Sequence, residues 1–133
     1  MDYNPADIAT RLAGALQEAW NVADAEAFGA RFAPFAEFVS TRSDFHRGRR
    51  AITWGHAALF ETMFKDSVVK YEVINARLLM PGLLICQIAA TLNAPQGPMA
   101  GENNATISIV ARERDGDWLI ELFHNTLVPP DAS

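Results

Sequence analysis

The sequence contains little cysteine and little histidine: Cys86 is its single cysteine, and it has three histidines. One thiol excludes an intrachain disulfide, and these counts exclude a cysteine-rich structural zinc site. The apolar neighbours of Cys86 predict a small core residue. The sequence also lacks the G-x-G-x-x-G motif of dinucleotide-binding folds. We therefore expect neither a metal nor an organic cofactor.

Basic residues are also few. Eleven Lys and Arg residues stand against sixteen Asp and Glu residues, which gives a net charge of −5. This deficit argues against binding to nucleic acid and against a basic helix on a membrane surface. The sequence has no apolar run of about 18 residues, as a membrane-spanning helix requires, and its first residues do not resemble a signal peptide. We expect a cytoplasmic protein with no nucleic-acid or membrane partner.

The overall composition is typical of one folded domain. Hydrophobic residues make up 50% of the sequence and charged residues 20%. A chain of 133 residues is long enough to bury one core without disulfides or metal. We therefore predict a single domain over residues 1–133.

Three helices are predicted in the N-terminal half. Asn4 is a favourable N-cap, and apolar residues then recur at helical spacing up to Trp20. Asp24 can cap a second helix, and Pro34 is expected to stop it. The predicted helices are residues 5–20, a short helix from Asp24 to about Phe32, and residues 49–64.

From Val68 onward the apolar period changes from about 3.6 to about 2, which predicts strands. Pro81-Gly82 favours a type II turn, and Asp115-Gly116 favours a type I′ hairpin. The predicted strands are residues 35–40, 68–79, 83–93, 104–114 and 117–127, with a polar loop over 42–48. Together these elements predict an α+β fold, in which a strongly curved antiparallel sheet wraps around the three helices and leaves a cone-shaped pocket.

Three local patterns carry a resemblance to a known superfamily. They are Phe32-Ala33-x-x-Ala36-x-Phe38, Gly48-Arg49-x-Ala51-Ile52-x-x-x-His56-x-x-Leu59-Phe60, and Asp115-Gly116-x-Trp118-x-Ile120 followed by His124-Asn125-Thr126. In this order they resemble the nuclear-transport-factor-2-like superfamily, which includes ketosteroid isomerase and the SnoaL-like proteins, and most closely the SgcJ/EcaC branch of the latter. The resemblance implies a cystatin-like conical barrel, a pocket at its wide end and a homodimer formed through the outer face of the sheet.

The last predicted strand decides which side chains face the pocket. Strict alternation separates one largely apolar set, which we expect on the concave face, from a mixed set, which we expect in a dimer contact. The concave set is Trp118, Ile120, Leu122, His124 and Thr126. The outer set is Leu119, Glu121, Phe123, Asn125 and Leu127. A one-residue bulge would exchange the two roles.

His124 is the first candidate for acid–base catalysis, and His56 on the apolar stripe of the third helix is the second. A hydrogen-bonded structural histidine is the alternative at both positions. The resemblance to ketosteroid isomerase implies a carboxylate base at the end of the first strand. Ser40 and Thr41 occupy that region here, which argues against steroid-type proton transfer.

Most of the abundant aromatic residues are expected to pack in the core, and those that a domain of this size cannot bury predict a pocket for a flat apolar ligand. The candidate ligand-binding residues are Trp20, Phe38, Thr41, Phe45, Phe60, Thr106 and Trp118. The resulting hypothesis is a small-molecule-binding SnoaL-like protein. Its activity would be a cofactor-free isomerase, cyclase or hydratase reaction on an apolar or polyketide-like ligand. The alternative is a non-catalytic ligand-binding or accessory dimeric domain.

Overall fold

The computed structural model describes residues 4–129, which form three helices and one six-stranded sheet. In chain order the elements are α1 (Pro5–Asn21), α2 (Ala25–Gly29), β1 (Phe32–Val39), β2 (Phe45–Arg47), α3 (Arg49–Glu61), β3 (Val68–Met80), β4 (Leu83–Ala94), β5 (Gly101–Arg114) and β6 (Asp117–Leu127). The strand order is β2-β1-β6-β5-β4-β3, and β1 runs parallel to β6 while the other pairs are antiparallel. The α+β fold with a curved, unclosed sheet confirms the predicted fold class.

The helix and turn signals in the sequence act as predicted at several places. The Asn4 side chain accepts hydrogen bonds from the backbone N–H groups of Ala6 and Asp7, at 2.9 and 3.3 Å, and so caps α1. In the β3–β4 turn, Gly82 has φ +79°. In the β5–β6 turn, Asp115 and Gly116 have φ +52° and +83°, as a type I′ turn requires.

Several predicted element limits in the N-terminal half are wrong, including the start of β1 at Phe32 rather than residue 35. Helix α2 ends at Gly29, and Phe32 already belongs to β1, where it pairs with Ile120. Pro34 lies inside β1, in the irregular stretch where the register with β6 shifts, so its missing N–H removes no regular ladder bond. The predicted loop over 42–48 contains the short edge strand β2, and α3 ends at Glu61 rather than near residue 64.

A β-bulge at Glu121 overturns the predicted faces of β6. Val110 pairs with Leu122, whereas the next residue of β5, Ala111, pairs with Ile120, so Glu121 is the extra residue. Before the bulge, Ile120 faces the core, and after it the core-facing residue is Phe123, which is 1% exposed. The alternation is therefore exchanged from Leu122 onward, and the predicted placement of the C-terminal half of this strand is wrong.

The core lies between the concave face of the sheet and the helices. Phe38 and Phe123 on neighbouring strands stack with their ring centroids 4.5 Å apart, and Phe32 packs against both. Trp20 of α1 meets Phe60 of α3 edge-on at 5.0 Å. Two of these rings, Trp20 and Phe38, also line a cavity on the concave side of the sheet.

Candidate functional site

A cavity lies between α1, α3 and the concave face of the sheet. It offers about 80 Å³ to the centres of water-sized molecules, and about 600 Å³ of atom-free space when its open mouth is counted. A single water needs roughly 10–15 Å³ on the first of these measures, so the cavity has room for several waters. That space suits a small organic molecule of about one ring. Its walls are mostly apolar and comprise Trp20, Phe38, Ser40, Thr41, His56, Leu59, Phe64, Val69, Tyr71, Ala90, Leu92, Met99, Asn103, Ala105, Ile107, Asn125 and Leu127.

Asn125 of β6 presents an unsatisfied hydrogen-bond acceptor at this cavity. Its Oδ1 atom is buried and has no hydrogen-bond partner among residues 4–129. The bulge at Glu121 turns Asn125 inward, beside Ile107 of β5. A buried acceptor without a partner costs about 1–3 kcal/mol, so this oxygen is poised to accept a bond from a ligand donor.

His56 of α3 lines the cavity from the opposite side. Its Nδ1 lies 2.8 Å from the backbone oxygen of Ile52, one turn earlier in the helix. A carbonyl oxygen can only accept, so Nδ1 carries the hydrogen of the neutral ring and Nε2 carries the lone pair. The ring stacks on Phe28 at 4.2 Å and meets Phe38 edge-on at 5.0 Å, which holds its orientation.

Burial keeps the His56 imidazole neutral. Desolvation lowers the pKa of His56 from 6.5 to about 4; the hydrogen bond to Ile52 opposes this effect, and the charge of His46 adds to it. At neutral pH the ring is therefore a hydrogen-bond acceptor at Nε2 rather than a cation. With this lowered pKa, the His56 imidazole is too weak a base to abstract a proton efficiently near pH 7.

Tyr71 of β3 supplies a further polar group to the wall. Its backbone N–H donates to Gln17 Oε1 of α1 at 2.8 Å, which fixes β3 against α1. Within the described part of the chain its hydroxyl has no hydrogen-bond partner, and burial raises the pKa of this phenol above its usual value of 10. Tyr71 thus offers a neutral hydroxyl, able to donate or accept.

A second hollow adjoins the cavity and shares with it several wall residues, among them Phe38, Thr41 and His56. It is the larger of the two, with about 310 Å³ against 80 Å³ on the first measure used above. Its outer wall is the turn before β2, with Phe45 54% exposed at the rim. The His46 ring lies against α3 at Gly55, where a Cβ would stand 3.4 Å from the imidazole, an ordinary van der Waals contact.

Four of the site residues predicted from the sequence line the cavity, and the others lie outside its lining. Trp20, Phe38, Thr41 and His56 all line the cavity. Phe60 lies outside the cavity lining, buried against Trp20, and Phe45 lines only the second hollow.

Two further predicted ligand contacts lie outside the cavity lining, for different reasons. Thr106 points to the convex face, because its neighbours Ala105 and Ile107 on β5 both line the cavity. Trp118 pairs with Glu113 near the β5–β6 turn, outside the cavity lining.

His124, the first catalytic candidate, is exposed on the convex face of the sheet. It pairs with Ser108 of β5 and Val39 of β1, and it does not line the cavity. The physical reason is the bulge at Glu121, which reverses the alternation before this residue. The prediction that His124 faces the pocket is wrong, and Asn125, predicted on the outer face, takes the inward place.

Sequence reasoning missed Tyr71, Asn103 and Asn125 as polar cavity residues. A signal for the last was present, since Ile120 and Phe123 are three residues apart and cannot share one face of a regular strand. Two large apolar residues at odd spacing in one amphipathic strand indicate a bulge between them.

The residues that line the cavity limit its chemistry. Among the described lining residues there is no aspartate or glutamate, so the carboxylate base of steroid-type proton transfer has no counterpart in this wall. Within residues 4–129, no three His, Cys, Asp or Glu side chains gather as a metal site requires. No helix in the same range is long and apolar enough to span a membrane. The cytoplasmic location stays a prediction.

Comparison with known proteins identifies the fold. No protein-family model matches the sequence, and no curated protein matches it. Among solved structures, it is similar to an uncharacterized protein with a cystatin-like fold from Caulobacter vibrioides, with 32% identity, a TM-score of 0.80, and coverage of 95% of this chain and 91% of the other.

Two more distant structures extend the comparison. An NTF-2-like protein of unknown function from Shewanella oneidensis MR-1 has 15% identity and a TM-score of 0.77, with 90% of this chain and 97% of the other covered. A ketosteroid isomerase-like protein from Erwinia carotovora atroseptica has 15% identity and a TM-score of 0.78, with 94% and 97% covered. The chain thus has the cystatin-like, NTF-2-like fold of these structures, and its place among the SnoaL-like proteins and in their SgcJ/EcaC branch stays a prediction.

Proposed function

We propose that the protein binds an uncharged, mainly apolar small molecule in the cavity, through a hydrogen-bond donor of that molecule and Asn125 Oδ1. The single observation that carries this proposal is the buried, unpartnered Oδ1 atom in a mostly apolar wall. Native structures rarely leave such an atom unsatisfied, and a ligand hydroxyl or N–H would remove the cost.

The apolar wall supplies affinity, and Asn125 supplies orientation. Trp20, Phe38 and Leu92 are among the side chains that would contact a ligand ring. Burial of apolar surface contributes about 25 cal/mol per Å², whereas one neutral hydrogen bond contributes about 0.5–1.5 kcal/mol. A ligand without a donor can therefore bind, but it leaves the Asn125 oxygen unsatisfied.

Ligand binding is favoured over acid–base catalysis because of the titratable groups at the site. The pKa of His56 is lowered to about 4 and that of Tyr71 is raised above 10, so neither group exchanges protons readily near pH 7. Of the functions that the sequence left open, a non-catalytic ligand-binding domain fits these values better than an isomerase, cyclase or hydratase.

The test compares two ligands that differ in one donor, 3,5-dimethylphenol and its methyl ether 3,5-dimethylanisole, titrated by calorimetry or ligand-observed NMR. We expect the wild-type protein to bind the phenol about tenfold more tightly, which corresponds to about 1.4 kcal/mol. The variant Asn125→Leu should lose this preference while keeping its affinity for the ether. It should also be as stable as the wild type, because it removes an unsatisfied polar group.

The matched control is Asn104→Leu, since Asn104 is exposed and accepts a hydrogen bond from Thr91 away from the cavity. This control should keep the wild-type preference. Equal affinity of the wild-type protein for phenol and ether would contradict the proposal, as would an unchanged preference in Asn125→Leu.

We also propose a homodimer formed through the convex face of the sheet. Phe123, assigned to that contact from the sequence, is buried in the core instead, whereas Leu119 precedes the bulge, pairs with Arg112 and is only partly buried. The central convex positions of β4, β5 and β6 are nevertheless nearly uncharged: Ile85, Gln87, Ala89, Thr106, Ser108, Val110, Leu122, His124 and Thr126. Depletion of charge at the centre of a face is typical of protein–protein interfaces.

A further inference from the structure

The cavity contains a second acceptor besides Asn125. Nδ1 of His56 donates to the Ile52 carbonyl at 2.8 Å, so Nε2 has a lone pair and no hydrogen. Within residues 4–129, His56 makes no other hydrogen bond. At neutral pH the lowered pKa keeps this nitrogen unprotonated, so it can only accept.

The His56 ring has little freedom to turn away from the cavity. Phe28 stacks on one face at 4.2 Å, and the rings of Phe38, Trp20 and Phe60 meet it edge-on at 5.0, 5.9 and 6.1 Å. A flip of the ring would also break the bond to Ile52. The acceptor is therefore oriented before any ligand arrives, which reduces the conformational entropy lost on binding.

The two acceptors approach the same space from opposite walls. His56 belongs to α3, and Asn125 belongs to β6 on the concave face of the sheet. Tyr71 of β3 also lines the cavity, with a hydroxyl that can donate or accept. The site therefore has two unfilled acceptors, Asn125 Oδ1 and His56 Nε2, beside the Nδ2 donor of Asn125.

We infer that the ligand carries two hydrogen-bond donors on one apolar framework, one bonded to Asn125 Oδ1 and the other to His56 Nε2. An aromatic or alicyclic diol has this chemistry. The inference rests on the proposed ligand-binding function and extends it from one donor to two. A ligand that presents a carbonyl or ether oxygen to His56 Nε2 finds no donor on that ring and is disfavoured there.

The experiment compares 5-methylresorcinol with its monomethyl ether, 3-methoxy-5-methylphenol. A second pair, 4-(hydroxymethyl)phenol and 4-(methoxymethyl)phenol, repeats the comparison with the two oxygens farther apart. For at least one pair, the wild-type protein should bind the diol five- to tenfold more tightly, beyond any statistical factor from equivalent hydroxyls. If it binds diol and ether equally in both pairs, the inference is overturned.

Variants at position 56 assign the second donor. His56→Phe keeps a ring against Phe28 but removes the acceptor, so it should lose the diol preference while keeping the preference for 3,5-dimethylphenol over 3,5-dimethylanisole. His56→Gln retains an acceptor and should keep part of the diol preference, and its melting temperature checks that the pocket is intact. A full diol preference in His56→Phe overturns the inference.

The two failures are distinguishable. Loss of the diol preference alone, with the phenol preference intact in the wild-type protein, overturns the two-donor inference and leaves the proposed function standing. Equal binding of phenol and anisole by the wild-type protein overturns the proposed function itself.

Discussion

At the scale of single residues, His56 shows how an aromatic environment determines the chemistry of an imidazole. Phe28, Phe38 and Trp20 exclude water from the ring, and Ile52 satisfies its one donor. A charged imidazole would lose its hydration at this position, and this desolvation cost is large enough to keep the ring neutral over the physiological pH range.

This environment predicts a pH dependence of stability. The pKa of His56 falls from 6.5 in the unfolded chain to about 4 in the folded one, so between these values the unfolded state binds more protons. The stability that depends on neutral His56 is therefore fully present above pH 6.5 and is lost as the pH falls toward 4 and below. The loss amounts to roughly 3 kcal/mol.

Urea denaturation of the wild-type protein and of His56→Phe at pH 7, 6, 5 and 4 measures this effect. Carboxylates titrate alike in both proteins, so the difference between their free energies of unfolding isolates His56. It should change by a few kcal/mol in favour of the variant as the pH falls. Parallel curves for the two proteins would show that His56 is not held neutral by the fold.

At the scale of elements, the C-terminus of α1 is a Schellman motif built without glycine. The N–H of Asp24 bonds to the Ala19 carbonyl at 2.8 Å, and the N–H of Ala23 bonds to the Trp20 carbonyl at 2.9 Å. Ala23 has φ +56°, a left-handed conformation that costs an L-residue about 1–2 kcal/mol.

Ala23→Gly should therefore stabilise the protein. Relief of strain exceeds the extra freedom that glycine has in the unfolded chain, so the expected gain is about 0.5–1 kcal/mol, or a few degrees in melting temperature. Ala15→Gly, in the middle of the same helix, is the matched control and should destabilise by about 1 kcal/mol. A lower melting temperature for Ala23→Gly would refute the strain argument.

The elements that sequence reasoning predicted correctly are those with local signals. The cap at Asn4, the turn at Pro81-Gly82 and the turn at Asp115-Gly116 each depend on a few adjacent residues. By contrast, β2 exists because Phe38 pairs with His46 across the edge of the sheet, and a three-residue strand has no periodicity of its own.

The candidate site was predicted only in part, for the same reason. Trp20, Phe38 and His56 lie on elements whose inner face follows from helical or alternating spacing. Asn125 rather than His124 faces the cavity because of one extra residue in β6, Glu121. This bulge forms only when β6 pairs with β5. The side chain of Glu121 bonds to Arg114 at 3.1 Å, a contact that depends on the pairing of two strands.

At the scale of the whole molecule, the two faces of the sheet differ in character, and the bulge in β6 decides which side chains of that strand lie on each face. The concave side holds the cavity with Asn125, and the convex side presents a nearly uncharged centre around Val110 and Leu122. Charged residues, including the ion pair of Glu37 and Arg47 at 3.6 Å, lie toward the edges of the convex side.

Val110→Arg tests the proposed dimer. Sedimentation equilibrium should show a wild-type dimer at micromolar concentration and a monomer for the variant, because burying two unpaired guanidinium groups in a stable interface is costly. Met80→Arg, at the exposed last residue of β3, should remain dimeric. A monomeric wild-type protein, or a dimeric Val110→Arg, would count against the convex face as the interface.

The account depends most on Asn125 as the anchor of a ligand in the cavity. The most direct measurement is a crystal structure of the protein with 3,5-dimethylphenol. The account predicts the ring in the cavity with its hydroxyl oxygen about 2.7–3.0 Å from Asn125 Oδ1. A ring bound with its hydroxyl turned away from Asn125, or a cavity that stays empty at saturating phenol, would contradict it.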